Sequence, residues 1–113
     1  MSFSRTTDEK SWLKFEDYHR GALKRLEANG ADFAVIASIT PHHRLSTIVQ
    51  GIGIPVINII EEVAVECSWM GVRSVVLLGT DLTMRSVKFS KVFAERGIDT
   101  SGPAARRETI DLI

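Results

Sequence analysis

Two patterns of apolar and polar residues follow one another along this chain. From residue 7 to residue 29 the apolar side chains recur at spacings of three, four and seven, with charged residues between them, which predicts an amphipathic helix. Residues 33–37 are apolar without alternation, a pattern typical of a parallel strand that helices cover on both faces. Comparable apolar runs at 54–58 and 74–78 predict two further strands.

Helical segments are predicted between these strands. They cover residues 45–49, 58–71 and 80–97, and a last helix is predicted over 103–113. Residues 98–101 are a candidate fourth strand. Such alternation predicts an α/β fold, with a three- to four-stranded parallel sheet and helices on both of its faces.

The helix after the second strand has the clearest sequence signals. Asn58 and Glu61 stand in the relation of a capping box, and Gly71 stops the helix. One apolar stripe, which includes the single cysteine, follows the cap: Ile60, Val63, Ala64, Cys67 and Met70. We expect this stripe to be buried, with Cys67 as a small core residue rather than a reactive thiolate.

Composition narrows the class of protein. The chain has 113 residues, 44% of them hydrophobic and 25% charged, which fits one small globular domain. The formal net charge is zero, so nothing favours a nucleic acid or an anionic membrane as a partner. One cysteine suits a reducing compartment, and no apolar run reaches the roughly 18 residues of a membrane span, so we expect a cytoplasmic protein.

Candidate chemistry is concentrated where the first strand ends. Ser38, Thr40, His42 and His43 follow the apolar run directly. In open α/β sheets, ligands bind outside the carboxyl ends of the strands, so this exposed turn is a candidate site. The alternative is a polar turn that only leads into a helix.

A second hydroxyl-bearing turn follows the third strand. Thr80 and Thr83 could contribute to an anion site for carboxylate or phosphate. Equally, Thr80, Asp81 and Thr83 could simply cap the next helix. We predict no metal site, because His42 and His43 are adjacent, point differently and have no clustered partner. No phosphate or dinucleotide motif predicts a cofactor.

Several stretches together resemble the cofactor-independent aspartate/glutamate racemase family, within the Asp/Glu/hydantoin racemase superfamily. They are residues 30–42, 54–62 and 77–84, together with Phe89, Gly97 and Ile98. The resemblance begins at about Leu23, so the N-terminal helix lies largely outside it, and it ends near Pro103. It covers the middle of a family member.

The resemblance implies a truncated portion of a two-lobed α/β fold. Residues 1–29 would then form an N-terminal amphipathic helix, and residues 30–113 a partial racemase-like unit. Within that unit the end of one lobe would extend to about residue 57, and the second lobe would start at about residue 58.

The resemblance also implies an isomerase that needs no pyridoxal phosphate. In the family, one thiolate takes the α-proton of an amino acid and a thiol on the opposite side returns a proton. Here Ser38 occupies the position of the first family cysteine, and the second would lie beyond Ile113. Ser38 and His42 are the implied catalytic residues. The implied carboxylate-binding residues are Thr40, Thr80 and Thr83.

Both family cysteines are missing from this sequence. Serine is a far weaker base than cysteine, so we expect low or no intrinsic racemase activity on a small carboxylate or amino-acid ligand. The alternative is an inactive module, derived from the racemase fold, that binds a small carboxylate or another protein. A truncated sheet leaves strand edges and apolar faces uncovered, so we also expect a homo-oligomer.

Overall fold

The structure is a computed structural model that describes residues 9–100. The chain divides into two compact units, of which the first ends at Glu62 and the second begins at Val63. In chain order the elements are α1 (Glu9–Ala28), β1 (Ala34–Val35), a 3-10 helical turn (Thr40–Arg44), α2 (Leu45–Ile48), β2 (Val56–Ile57), α3 (Ile59–Trp69), α4 (Asp81–Met84) and α5 (Val87–Ala94).

Helix α1 is the long helix that the apolar spacing predicts. It ends before Gly30, whose φ of 89° lies in the left-handed region that glycine adopts without steric cost. Near this end, Oε1 of Glu27 accepts a hydrogen bond of 2.8 Å from the backbone N–H of Gly53. This bond ties α1 to the loop that leads into β2. Thr7 and Asp8, where the sequence predicts the start of this helix, lie outside the described residues.

The two strands of the first unit form a parallel sheet. Ala34 is in register with Val56 and Val35 with Ile57, and the N–H of Ala34 donates to the carbonyl of Pro55 at 2.9 Å. Residues in register point to the same side of a parallel sheet, and successive residues alternate between sides. Ala34 and Val56 therefore share one face, while Val35 and Ile57 share the other.

The core of the first unit lies on the side of Ala34. Leu23 of α1 and Ile48 of α2 are buried together with Ala34, and α1 and α2 also contact each other. Partly buried apolar side chains surround these three residues: Ile36, Val49, Ile52, Ile54 and Val56. Both helices thus cover the same face of the sheet.

We call the opposite side of the sheet the outward face, formed by Phe33, Val35, Pro55 and Ile57. Phe33 is 57% exposed and Val35 is 48% exposed. The prediction that helices cover both faces of the first strand therefore does not hold in the described part of the chain. The reason is that α1 and α2 pack on one side together.

The sheet is also smaller than predicted. In the second unit, Ser74 and Asp99 form a single parallel bridge, in which Val75 N–H donates to Asp99 and Asp99 N–H donates to Arg73, both at 2.9 Å. The strands predicted at 74–78 and 98–101 are reduced to this bridge within the described residues. An extended strand needs a neighbour along its whole length, and the bridge supplies one only at its first residues.

Helix α3 begins as the sequence predicts. The side-chain oxygen of Asn58 accepts a hydrogen bond of 3.0 Å from the N–H of Glu61, which confirms the cap. Ile60 and Ala64 are buried, but Val63 and Met70 are exposed. The buried stripe is therefore narrower than predicted.

A single helix was predicted to run to Gly97, and this prediction is wrong. The structure has two, because Ser86 interrupts the segment and caps α5: its Oγ accepts a hydrogen bond of 3.0 Å from the N–H of Phe89. Phe89 and Phe93 are the buried residues of α5. The last helix, predicted over 103–113, lies outside the described residues. No helix between residues 9 and 100 is both long and apolar enough to cross a membrane.

We expect Ile48→Ala to lower the free energy of unfolding by about 2–5 kcal/mol, because truncation of a fully buried side chain leaves a cavity. Ile48 is completely buried, and alanine is a good helix former, so the loss reports core packing. Urea denaturation followed by circular dichroism measures it. Leu26→Ala, at an exposed position of α1, is the control and should change stability by less than about 0.5 kcal/mol. Equal losses in the two variants would contradict this account of the core.

Candidate functional site

The first group of predicted site residues lies where the chain leaves β1. The strand ends at Val35, Ile36 packs against the core, and Ser38 stands in a bend with its side chain exposed. Because the core holds Ile36, the chain enters this bend at a defined position. The structure thus places the Ser38 hydroxyl at the carboxyl end of a parallel strand, as predicted.

His42 connects this bend to the following helical turn. Its Nε2 lies 3.0 Å from the carbonyl oxygen of Ile36. A carbonyl can only accept, so Nε2 carries the proton and donates; this assignment of the ring follows from the hydrogen bond. The side chain is only 2% exposed, so His42 is not the exposed residue that the sequence predicted.

The other ring nitrogen of His42 is in a different situation. Nδ1 is buried and has no hydrogen-bond partner in the described part of the chain. Buried polar atoms are nearly always paired, so an unpaired one is a candidate for ligand binding or proton transfer. Since Nε2 donates its hydrogen bond to the Ile36 carbonyl, Nδ1 is the ring nitrogen of His42 that is a candidate for ligand binding or proton transfer.

Thr40 begins the 3-10 helical turn that carries His42. Its side chain is half-buried, and the neighbouring Pro41 is buried. The N–H of His42 also donates to the carbonyl of Ile39 at 2.8 Å, which tightens the start of the turn. The backbone and side-chain hydrogen bonds of His42 hold residues 36–44 in place. We call these residues, which include Ser38 and Thr40, the anchored segment.

Arg44 is a residue of this segment that sequence reasoning passed over. Its guanidinium lies 4.6 Å from the centre of the Trp12 ring, and Nη1 lies 3.5 Å from Oε1 of Glu9. Stacking over an aromatic ring and pairing with a carboxylate both favour arginine at this place. A basic residue directly after the two histidines was the available signal. Arg44 brings positive charge to the element that holds Thr40.

The second group of predicted residues belongs to the second unit. Oγ1 of Thr80 accepts a hydrogen bond of 3.3 Å from the N–H of Thr83, and the two hydroxyl oxygens lie 3.4 Å apart. Thr80 is exposed, whereas Thr83 is buried. The capping role that the sequence allowed is therefore present in the structure.

The structure brings the predicted residues together as two sets. Ser38, Thr40 and His42 belong to the first unit, and Thr80 and Thr83 to the second. Residues 9–100 contain no group of three or more histidine, cysteine, aspartate or glutamate side chains that could hold a metal ion. The chemistry available at the first set is that of a hydroxyl, an imidazole nitrogen and a nearby guanidinium.

Comparison with known proteins assigns the part of the chain that contains both sets of residues to one family. A family model described as Asp/Glu/Hydantoin racemase matches residues 3–112. The crystal structure of an aspartate racemase homologue from Pyrococcus horikoshii OT3 is similar, with a TM-score of 0.78 and 30% sequence identity. The alignment covers 94% of this chain and 48% of that one, so this chain spans about half the length of the relative. The family match includes α1, so the resemblance begins earlier than the predicted Leu23.

We expect His42→Ala to destabilise the protein by about 1–3 kcal/mol, because a buried side chain is removed and the half-buried Ile36 carbonyl loses its partner. Urea denaturation measures this. Ser38→Ala is the matched control on the same segment, and removal of an exposed hydroxyl should change stability by less than about 0.5 kcal/mol. If His42→Ala were as stable as the wild type, the histidine would not anchor the turn.

Two variants of Thr80 distinguish the contribution of its capping hydroxyl to stability from that of its methyl group. Thr80→Ala should cost about 0.5–2 kcal/mol of stability, because the N–H of Thr83 loses its acceptor. Thr80→Ser keeps the acceptor and should retain most of the stability. Thermal denaturation of the two variants beside the wild type gives the comparison, and an equal loss in both would argue against the cap.

Proposed function

Since this chain belongs to the Asp/Glu/Hydantoin racemase family, we propose that it binds a small carboxylate and transfers a proton at the ligand's α-carbon at a low rate. An acidic amino acid is the first ligand to consider. The observation that carries this proposal is the exposed Ser38 hydroxyl at the carboxyl end of β1, on a segment that buried His42 anchors. The proposed reaction is an isomerisation that uses no pyridoxal phosphate.

Ser38 and His42 are the proposed acid/base residues. The Ser38 side chain is accessible to a ligand, and Nδ1 of His42 is a buried acceptor without a partner among the described residues. An imidazole nitrogen that carries no hydrogen can accept a proton and is a stronger base than an alcohol. In this proposal His42 supports proton transfer, while Ser38 contacts the ligand.

Three threonines are the proposed carboxylate-binding residues. Thr40 is half-buried on the anchored segment, and Thr80 and Thr83 form a hydroxyl pair at the start of α4. A hydroxyl donates one hydrogen bond and accepts others, so it can serve a cap and a carboxylate together. The Thr80 hydroxyl donates to Oγ1 of Thr83 at 3.4 Å, and in this proposal it turns to donate to the carboxylate instead.

The low rate follows from the residue at position 38. Inversion at the α-carbon needs a base on one face and an acid on the other. A thiol is partly ionised near neutral pH, whereas a serine hydroxyl is not, so Ser38 can remove an α-proton only slowly. The only cysteine of the chain, Cys67, lies on α3 and not on the anchored segment.

A second candidate function is carboxylate binding without chemistry, or recognition of another protein. The observation in its favour is that, within residues 9–100, no hydrogen bond joins a side chain to the Ser38 hydroxyl. An activated serine normally has a base within hydrogen-bond reach. We also propose that the chain acts in the cytoplasm, because its single cysteine suits a reducing compartment.

Exchange of the α-proton tests the first function. We expect L- and D-aspartate and glutamate, incubated with the protein in deuterium oxide, to lose their α-proton NMR signal slowly, since each abstracted proton is replaced by a deuteron. The loss should disappear in Ser38→Ala. Ligand-dependent chemical-shift changes without any exchange would instead favour carboxylate binding without chemistry, and absence of both would reject proton transfer and carboxylate binding alike.

Ser38→Cys is a gain-of-function test of the same position. A cysteine there should raise the exchange rate by on the order of a hundredfold, because a well-placed acid/base contributes about that much and the thiol has a pKa much closer to neutrality. Ser38→Thr, which retains a hydroxyl, is the matched control and should not raise the rate. If the cysteine variant exchanged no faster than the wild type, position 38 would not face the α-carbon.

A further inference from the structure

Arg44 is the only residue with a formal charge between Phe33 and Ile60, when histidine is counted as neutral. This stretch contains both strands of the first unit, together with Ser38 and Thr40 of the candidate site. A single cation among apolar and hydroxyl side chains sets the sign of the potential around them. The stretch therefore favours an anionic group of a ligand beside Arg44 over a neutral or cationic group.

Arg44 lies at the same edge of the first unit as Ser38. Helix α1 and β1 run in opposite directions, because the chain turns back between them and Leu23 packs in one cluster with Ala34. Counted from Leu23, Trp12 lies about 16 Å along α1, at a rise of about 1.5 Å per residue. Counted from Ala34, Ser38 lies about 13 Å in the same direction, at about 3.3 Å per extended residue. The Trp12 ring, whose centre lies 4.6 Å from Cζ of Arg44, is therefore near the level of Ser38.

The Arg44 guanidinium is fixed in position but retains hydrogen-bond donors. Trp12, on which it stacks, is 6% exposed and is a rigid support, whereas the Arg44 side chain is 31% exposed. Within residues 9–100 its one hydrogen bond runs from Nη1 to Oε1 of Glu9, at a long 3.5 Å. A guanidinium has several N–H groups in a planar fork, so donors remain for a ligand.

We propose that Arg44 is a specificity-determining residue, which binds the second carboxylate of a dicarboxylic ligand whose α-carbon lies beside Ser38. This assignment rests on the proposed function, which places a carboxylate ligand at Ser38 and Thr40. Guanidinium and carboxylate groups are both planar and form paired hydrogen bonds, and stacking on an aromatic ring fixes the guanidinium plane beforehand. Binding therefore loses little free energy to the ordering of this arginine.

The 3-10 helical turn sets the separation of the two binding groups. Thr40 and Arg44 are its first and last residues, and a rise of about 2.0 Å per residue places their Cα atoms about 8 Å apart. Aspartate and glutamate carry their two carboxylates on one short carbon chain. The length of the arginine side chain makes up the difference, so a ligand of this size reaches both residues.

Glu9 is the internal competitor of the ligand's second carboxylate. Its Oε1 is the carboxylate atom that Arg44 contacts, and its side chain is 67% exposed. An exposed ion pair contributes little to stability, so a ligand displaces Glu9 at small cost. Removal of the Glu9 charge should accordingly strengthen the binding of a dicarboxylic ligand, and removal of the Arg44 charge should weaken it.

Isothermal titration calorimetry of the full chain with L-glutamate and L-glutamine tests this role, because the two ligands have nearly the same shape and differ in the charge of the second group. We expect the wild type to bind glutamate at least about tenfold more tightly than glutamine. Arg44→Gln should abolish this preference and leave the affinity for glutamine unchanged. Glu9→Gln should raise the affinity for glutamate about two- to fivefold, without an effect on glutamine.

The matched control is Arg25→Gln, which removes a positive charge from an exposed position in the last turn of α1. It should keep the preference of the wild type. Loss of structure would weaken the binding of both ligands alike, so the ratio of the two affinities separates recognition from stability. Circular dichroism establishes that each variant is folded.

An unchanged ratio in Arg44→Gln, or equal affinities of the wild type for the two ligands, would overturn the role of Arg44 but not the proposed function. If Arg44→Gln does not fold, Glu9→Gln decides the question, and no gain in glutamate affinity would overturn the inference. A wild type that binds neither ligand would reject the proposed function, and the inference with it.

Discussion

Burial of one face of β1 is the constraint on which the first unit depends. Ala34 is small, so Leu23 of α1 and Ile48 of α2 can both approach the strand and pack in one cluster. Close packing leaves little freedom to shift any of the three without opening a cavity. Ile36 packs against the same cluster, so the position where the chain leaves β1 is set by the core.

The geometry of the candidate site depends on where the chain leaves β1. The Ile36 carbonyl accepts the hydrogen bond of His42, and this bond holds the segment that presents Ser38. His42 therefore has two different ring nitrogens: Nε2 supports the turn, and Nδ1 has no hydrogen-bond partner among the described residues. In the proposed reaction, a serine at position 38 is a weaker base than a thiol, but it needs no change in the backbone that holds it.

The same constraint explains the outward face. Because α1 and α2 share one side of the sheet, the side chains of Phe33 and Val35 point away from both helices. A strand that is apolar on both faces is stable in water only if something covers the second face. An exposed apolar face of this kind is typical of an interaction surface.

Local sequence patterns were sufficient for several features. Helical spacing predicted α1, the Asn58 cap placed the start of α3, and the hydroxyl turns and the family were recognisable from short stretches. These depend on neighbours a few residues apart. Tertiary structure decided the rest: a two-stranded sheet, the burial of His42 and the exposure of Phe33. Those features depend on which distant segments of the chain contact one another. An apolar run indicates that its side chains favour burial, but it does not specify which element buries them.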